Sequence, residues 1–380
     1  MAWTTNVLVG QSGGPTAVIN SSLAGVYESA KSLGAPHVYG MQYGIEGLLQ
    51  GHFVDLDQYF SDKMQIELLK RTPSSFLGSC RFKLPEASVD DRPYRKLFEL
   101  FEQHAIGAVF YIGGNDSMDT IAKLSGYGAS INSPIRFIGV PKTIDNDLAL
   151  TDHTPGYGSA AKYVATILKE VICDASVYNI RSVTVAEIMG RHTGWLAGAA
   201  SLAKGTDSDG PDIILLPERR FDEAAFLARV SKLTATRHNV TIAVSEGVKN
   251  QDGVFLCDLV STAGQLDAFG HKAILSGTSR TDVTEAYQVG GAAVEAAANG
   301  ETGRMCAIRR LSNQPYQVTT ELVDVNQVAN LEKRVPEEWI TPDGMQVTED
   351  FERYARPLIQ AELTPIYING VPRHIHLDNV

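Results

Sequence analysis

A chain of 380 residues with 44% hydrophobic and 20% charged residues is long enough for two domains with separate cores, and its composition excludes disorder as the organising state. The formal charge of -11, with no Lys/Arg run to offset it, argues against a nucleic-acid partner or an anionic membrane surface. No apolar run approaches the ~18 residues of a membrane span, and the start MAWTTNVLVGQ lacks a leader pattern, so a cytoplasmic protein is expected.

Short β-branched runs recur along the chain, each followed by a glycine-containing turn and an amphipathic stretch. They predict strands over 6–10, 38–42, 108–113, 136–140, 182–189, 212–216 and 241–245. Such alternation predicts an α/β protein of two doubly wound, Rossmann-like parallel-sheet domains, with ligands beyond the carboxyl ends of the strands, in the cleft between them. The polar stretch TIDNDLALTDHTPGYGS marks a boundary. The expected division is therefore 1–146, 147–300, and a segment 301–380 that packs back across both domains. Within that last segment, 305–312 reads as a strand, and 328–334 and 348–360 read as helices. The cysteines Cys80, Cys173, Cys257 and Cys306 are too few and too widely spaced for a disulfide framework or a metal knuckle, and are expected as reduced packing thiols.

Strand 6–10 opens into GQSGGPTAVIN, where Gly13 and Gly14 let backbone N–H groups approach an anion at a helix N-terminus; a plain tight turn fits equally well. Strand 108–113 ends in GGNDS. Asp116 beside a phosphate-binding turn implies an intervening Mg²⁺, while a simple helix cap by Asp116 or Ser117 is the plainer reading. Strand 136–140 delivers PKTIDND, which sets Asp145 and Asp147 beside Lys142 and Thr143. Phosphoryl transfer needs those parts: a carboxylate to take a hydroxyl proton, a metal-facing carboxylate and a cation for the moving group; a turn-forming loop without chemistry is the plainer alternative. Farther on, MGRHTGW and SEG bring Arg191 and Glu246 to strand ends, an Arg suiting a phosphate and a Glu suiting sugar hydroxyls, though a surface or cap role fits each singly as well.

QSGGPTAVIN, GGNDS, PKTIDND, MGRHTGW and SEG, in this order, together with ERYARPLI and GVPRHIHL, resemble the phosphofructokinase family and most closely its pyrophosphate-dependent branch. The resemblance runs from about residue 6 to the end. It implies a reversible, Mg²⁺-dependent phosphotransferase that moves a phosphoryl group from pyrophosphate to the 1-hydroxyl of fructose 6-phosphate. It assigns Gly13, Gly14, Arg81, Asp116 and Lys142 to the donor, and Thr143, Ile144, Asp145, Met189, Gly190, Arg191 and Glu246 to the sugar phosphate. Asp145 is then the base, with Lys142 and Arg191 completing the catalytic set. The metal set it implies is Asn115, Asp116 and Asp147: Asn115 stands where the family usually places a metal-binding Asp and still offers the ion a carbonyl oxygen but no charge, so Asp116 or Asp147 takes part of the load. ATP-dependent relatives have Gly at the positions of Asp116 and Lys142. A carboxylate at 116 repels a nucleotide's α-phosphate, and Lys142 neutralises the smaller donor. A homodimer or homotetramer is implied.

One departure concerns 272–279. There the family carries a strand-and-helix insert of roughly 30 residues, ending in a Tyr-x-x-Arg or Gln-Arg motif that grips the sugar phosphate. Neither His271 nor Arg280 aligns with that Arg. The shortening leaves two alternatives to a pyrophosphate-dependent enzyme: an ATP-dependent kinase, disfavoured by Asp116 and Lys142, and a non-catalytic, regulatory relative.

Overall fold

The computed structural model describes residues 3–177, 179–259 and 278–377. From the N-terminus, β1 (Asn6–Gln11) leads to α1 (Ile19–Ser32), β2 (Val38–Met41), α2 (Gly44–Leu49) and β3 (Phe53–Asp55). Helices α3 (Lys63–Arg71) and α4 (Arg92–Gln103) then precede β4 (Ile106–Gly113), α5 (Asn115–Ser130) and β5 (Arg136–Pro141). A second unit follows: α6 (Tyr157–Ser176), β6 (Ser182–Ile188), α7 (Trp195–Gly198), β7 (Ile213–Leu215), α8 (Glu223–Thr236), β8 (Asn239–Ser245) and α9 (Leu256–Leu259). The remainder holds α10 (Arg280–Ala298), β9 (Arg304–Asn313), β10 (Tyr316–Asp324) and α11 (Glu349–Ala355).

Two sheets organise the molecule. The first runs β10-β9-β5-β4-β1-β2-β3, and the second β6-β8-β7. All pairs in the second sheet are parallel, as are β1, β2, β4, β5 and β9 in the first, whereas β3 and β10 run antiparallel at its edges. The central strands are buried on both sides, which is why they read as continuous apolar runs. One face of the first sheet packs on α1 and α10, with Ile19, Leu23, Val289 and Ala293 in the core; the other packs on α4 and α5 through Leu97, Phe101, Ile121 and Leu124. In the second unit, Trp195, Phe351 and Tyr354 form an aromatic core with α6.

The strands expected from the sequence are present, and β3, β10 and a short antiparallel pair at Tyr367–Ile368 and Val371–Pro372 are additional. The expected helix at 328–334 is absent: a 3₁₀ turn at Val325–Gln327 is followed by non-helical chain. Asn330 there takes a left-handed φ of 64°; the N–H groups of Val328, Ala329 and Leu331 still bond within the turn, and the Lys333 N–H bonds away from it to the Asp147 carbonyl. Within 348–360, the helix occupies Glu349–Ala355 and continues as a 3₁₀ turn over Arg356–Ile359. Helix α10 falls in the span expected for the second domain, yet it lies along α1. A Cβ on Gly25 would sit 2.1 Å from the Tyr287 carbonyl oxygen, and one on Gly290 2.2 Å from that of Ser22, so only glycines permit this approach. Periodicity marks α10 as a helix without saying which sheet it covers. Of the cysteines, Cys80 and Cys306 are buried, whereas Cys173 and Cys257 are exposed. Most of the shortened stretch, 272–277, lies outside the described residues. No helix among the described residues is long and apolar enough to cross a membrane.

The two units are stitched at the boundary loop. Buried Asp282 of α10 accepts from the N–H groups of Gly156 and Ser159, both at 2.8 Å, and so caps α6 from outside its own segment. His153 is gripped between Asp152 (2.8 Å) and Glu285 (2.6 Å); burial opposes its protonation, but the two carboxylates outweigh that and raise its pKa. Asp282→Ala strands two buried donors, and a loss of about 2–4 kcal/mol in equilibrium urea unfolding is expected. A change below about 0.5 kcal/mol, the usual range for surface substitutions, would show the cap to be dispensable.

Candidate active site

Neighbouring β1 and β4 lie where the strand order of the first sheet reverses, so the loops that follow them flank a crevice at their carboxyl ends. The hydroxyls of Ser12 and Ser117 hydrogen-bond across it. A cavity of about 800 Å³ opens there, lined by the turn Ser12–Gly14, by 80–83, by 114–117 and by Lys142, Thr143, Asp145 and Asp147.

Of the residues singled out in the sequence, this cavity gathers Gly13, Gly14, Arg81, Asn115, Asp116, Lys142, Thr143, Asp145 and Asp147. Lys142 leaves the end of β5 and is almost fully buried. Its Nζ donates to the Gly14 carbonyl at 2.7 Å, which aims the ammonium at the glycine turn. Burial lowers its pKa to about 8, against the pull of Asp145 and Asp147, and Arg81 lowers it further. Gly13 has a φ of 76°, and a Cβ there would lie 3.3 Å from Lys142 Nζ. Its own N–H is taken by the Cys80 carbonyl (3.1 Å), so Gly13 acts by leaving room for the ammonium.

Burial also pushes up the Asp145 carboxyl, against a hydrogen bond from the Thr143 hydroxyl (3.2 Å) and the charge of Lys142. Asp147 is raised to about 6, by burial first and then by the charge of Asp145. These two carboxyls therefore share a poorly solvated space. Asp116 is exposed at the cavity's mouth, where it pairs with Lys83 at 2.7 Å. Asn115, at the start of α5, directs both atoms of its amide onto Asn330 and Leu331.

The other predicted residues stand outside this cavity, at the strand ends of the second sheet. The Gly190 N–H donates to Glu246 Oε1 at 3.2 Å, and the Gly190 carbonyl accepts from the Ser245 hydroxyl at 2.6 Å, so the ends of β6 and β8 are tied. The Arg191 guanidinium is exposed, 5.8 Å from the ring centre of Phe255. Ile144 and Met189, both partly buried, pack their side chains against the second unit's core. The halves connect through Thr193, whose hydroxyl donates to the Asp145 carbonyl at 3.2 Å, and through His192, which lines the cavity.

Sequence reasoning missed Lys83, His192, Thr193, Glu218 and the segment 330–335. Lys83 is signalled by its place two residues beyond Arg81 in an extended stretch, and His192–Thr193 lie inside the MGRHTGW motif. Glu218 of LPERR carries no such signal: it accepts from Gly194 N–H (2.9 Å) and Val335 N–H (3.1 Å), and burial raises its pKa. For 330–335, the charged run EKR gives a helical pattern, and nothing local reveals the long-range bonds that hold it.

The arrangement sets cations opposite a glycine turn, and a half-buried carboxylate beside them, in one polar cavity. Such an arrangement can hold a small polyanion and accept a proton. Residues 6–298 match the family model described as "Phosphofructokinase". A protein of Halomonas elongata named "Pyrophosphate--fructose 6-phosphate 1-phosphotransferase" is 40% identical over 405 aligned residues, covering 97% of this chain and 95% of the relative. One of the same name from Methylococcus capsulatus is 38% identical, covering 99% and 96%. The crystal structure of a pyrophosphate-dependent phosphofructokinase from Nitrosospira multiformis superposes with a TM-score of 0.89 at 40% identity, covering 99% of this chain and 97% of that one. The Halomonas alignment is longer than the 380 residues available here, so that relative carries residues without a counterpart in this chain.

Proposed function

Since this chain belongs to the phosphofructokinase family, we propose that it is a pyrophosphate-dependent phosphotransferase acting on fructose 6-phosphate. The observation that carries the proposal is the cavity in which one loop presents Lys142 and Asp145 together, facing the Ser12–Gly14 turn. The relatives at 38–40% identity over nearly the whole chain bear that name.

Diphosphate lies between the Gly13–Gly14 turn and the cations Arg81, Lys83 and Lys142. The sugar phosphate approaches from the second sheet, toward Thr143, Asp145, Gly190, Arg191 and Glu246. The 1-hydroxyl oxygen attacks the terminal phosphorus and the bond to the leaving phosphate breaks. The hydroxyl proton passes to Asp145, which burial has made more basic than an exposed carboxylate. Lys142 stabilises the transferred group; it is held in place before substrate arrives, so little reorganisation is needed. The reaction is reversible.

The donor set fits Mg²⁺: it is all oxygen, and Asp147 is raised partly by the Asp145 charge, a repulsion that a divalent cation relieves. Asp147, with Asp116, would hold the ion. When bound, it neutralises charge on the diphosphate and on the phosphoryl group in flight. Asp116 and Lys83 form a charged pair at the mouth, where a nucleotide's α-phosphate and sugar would have to pass. We place the enzyme in the cytoplasm as a homodimer or homotetramer.

Shortening near 272–279 bears on the acceptor half, where a lost phosphate-binding Arg would weaken the sugar phosphate by about 2–5 kcal/mol if the contact were buried. The purified protein is expected to turn over fructose 6-phosphate with pyrophosphate, with kcat/KM at least about 100-fold above that with ATP. A coupled assay with each donor measures this. Preference for ATP would overturn the donor assignment, and no turnover by folded protein would favour the non-catalytic relative.

A further inference from the structure

Residues 330–335 cross the cleft as a strap. Asn330, Leu331, Glu332 and Arg334 line the cavity. Farther along, the Lys333 N–H donates to the Asp147 carbonyl at 2.7 Å, and its ammonium to the carbonyls of Asp152 (2.8 Å) and Thr151 (3.1 Å). The Trp195 indole N–H donates to the Lys333 carbonyl at 2.8 Å, and the Val335 N–H to Glu218 at 3.1 Å. These bonds secure the strap to the boundary loop and to the second unit. Its hold on the first unit comes from α5: Asn115 Nδ2 donates to the Leu331 carbonyl at 2.7 Å, Asn115 Oδ1 accepts from the Asn330 N–H, and Asn330 Nδ2 donates to Asp119 Oδ1 at 3.2 Å.

From this geometry we infer that Asn115 is a positioning residue that anchors the strap as a wall of the diphosphate cavity, and that it is not a metal ligand. Its amide meets a backbone N–H and a backbone C=O on consecutive residues, so one side chain must offer an acceptor and a donor side by side. A carboxylate offers only acceptors and would set a charged oxygen against the Leu331 carbonyl. The left-handed turn at Asn330 presents these two backbone groups to Asn115. The inference rests on the phosphotransferase reading for its consequence but not for its geometry.

Two variants test it, both in the full-length protein. Asn115→Asp adds an acidic residue in the first turn of α5, where the helix dipole favours it, so folding is retained; Asn115→Ala removes the amide without adding charge. Hydrogen exchange followed by mass spectrometry, without metal or substrate, is expected to show 330–333 exchanging roughly tenfold faster in both. Steady-state kinetics are expected to show the KM for diphosphate rising at least about fivefold more than that for fructose 6-phosphate. Unchanged exchange, or a lower Mg²⁺ requirement in Asn115→Asp with the strap still protected, would overturn the assignment in favour of a metal ligand. Faster exchange in both variants alongside a wild type that shows no turnover would leave the anchor standing and remove the phosphotransferase reading.

Discussion

Asn at position 145 is expected to lower turnover by about 10³-fold while the protein stays folded and still binds both substrates. The Asp145 carboxyl sits at the meeting point of the two units: Thr143 holds it from below, and Thr193 bonds to its backbone carbonyl. An amide of the same shape keeps the packing and can still receive the Thr143 hydroxyl, so the loop is preserved. It cannot take the proton of the attacking hydroxyl. Comparing kcat for wild type and Asp145→Asn, with circular dichroism and diphosphate titration as controls, measures the effect. Retention of more than about a tenth of the activity would mean that another group serves as base, and the proton-transfer step would have to be reassigned.

Lys142→Met is expected to reduce kcat/KM for diphosphate by about 10²–10³-fold. Methionine fills the buried channel between the glycine turn and the end of β5, so the loss reports the charge. A pH profile gives the finer test. The Lys142 pKa is lowered to about 8, chiefly by burial, and the ammonium is the charged form, present below that value and lost above it. Wild-type kcat/KM for diphosphate should therefore fall as pH rises through about 8. On the acid side, Asp147 is raised to about 6 and is charged only above that pH, so the same parameter should fall as pH drops through about 6. In Lys142→Met the alkaline limb should vanish and the acid limb should remain. An alkaline limb of equal midpoint in the variant would assign it to some other group.

These expectations rest on residues that differ in how openly the sequence displays them. The donor half is local. Gly13 and Gly14 follow one strand, Asn115 and Asp116 the next, and Lys142, Asp145 and Asp147 lie within six residues after a third, so adjacent parallel strands are enough to bring them together. The acceptor half depends on how the second sheet is placed relative to the first. Gly190 and Glu246 are tied across the ends of β6 and β8, Arg191 is exposed, these three lie beyond the cavity, and Ile144 and Met189 pack, partly buried, against the second core. The strap was legible only as a charged run with helical spacing, because what holds it is an amide, an indole and a carboxylate more than a hundred residues away.

By itself, the sequence determined the alternation of strands and helices, the crevice at the strand ends and the chemistry of the loops there, because each depends on residues a few positions apart. Tertiary structure alone decided that α10 and β9 belong to the first sheet's domain, that Asp282 caps a helix across the boundary, that Asn115 faces the strap and that Gly13 yields its space to Lys142. The physical reason is that a side chain's chemical type follows from its own position. Which donor, acceptor or empty space lies opposite it is set by the packing of segments far apart in the chain.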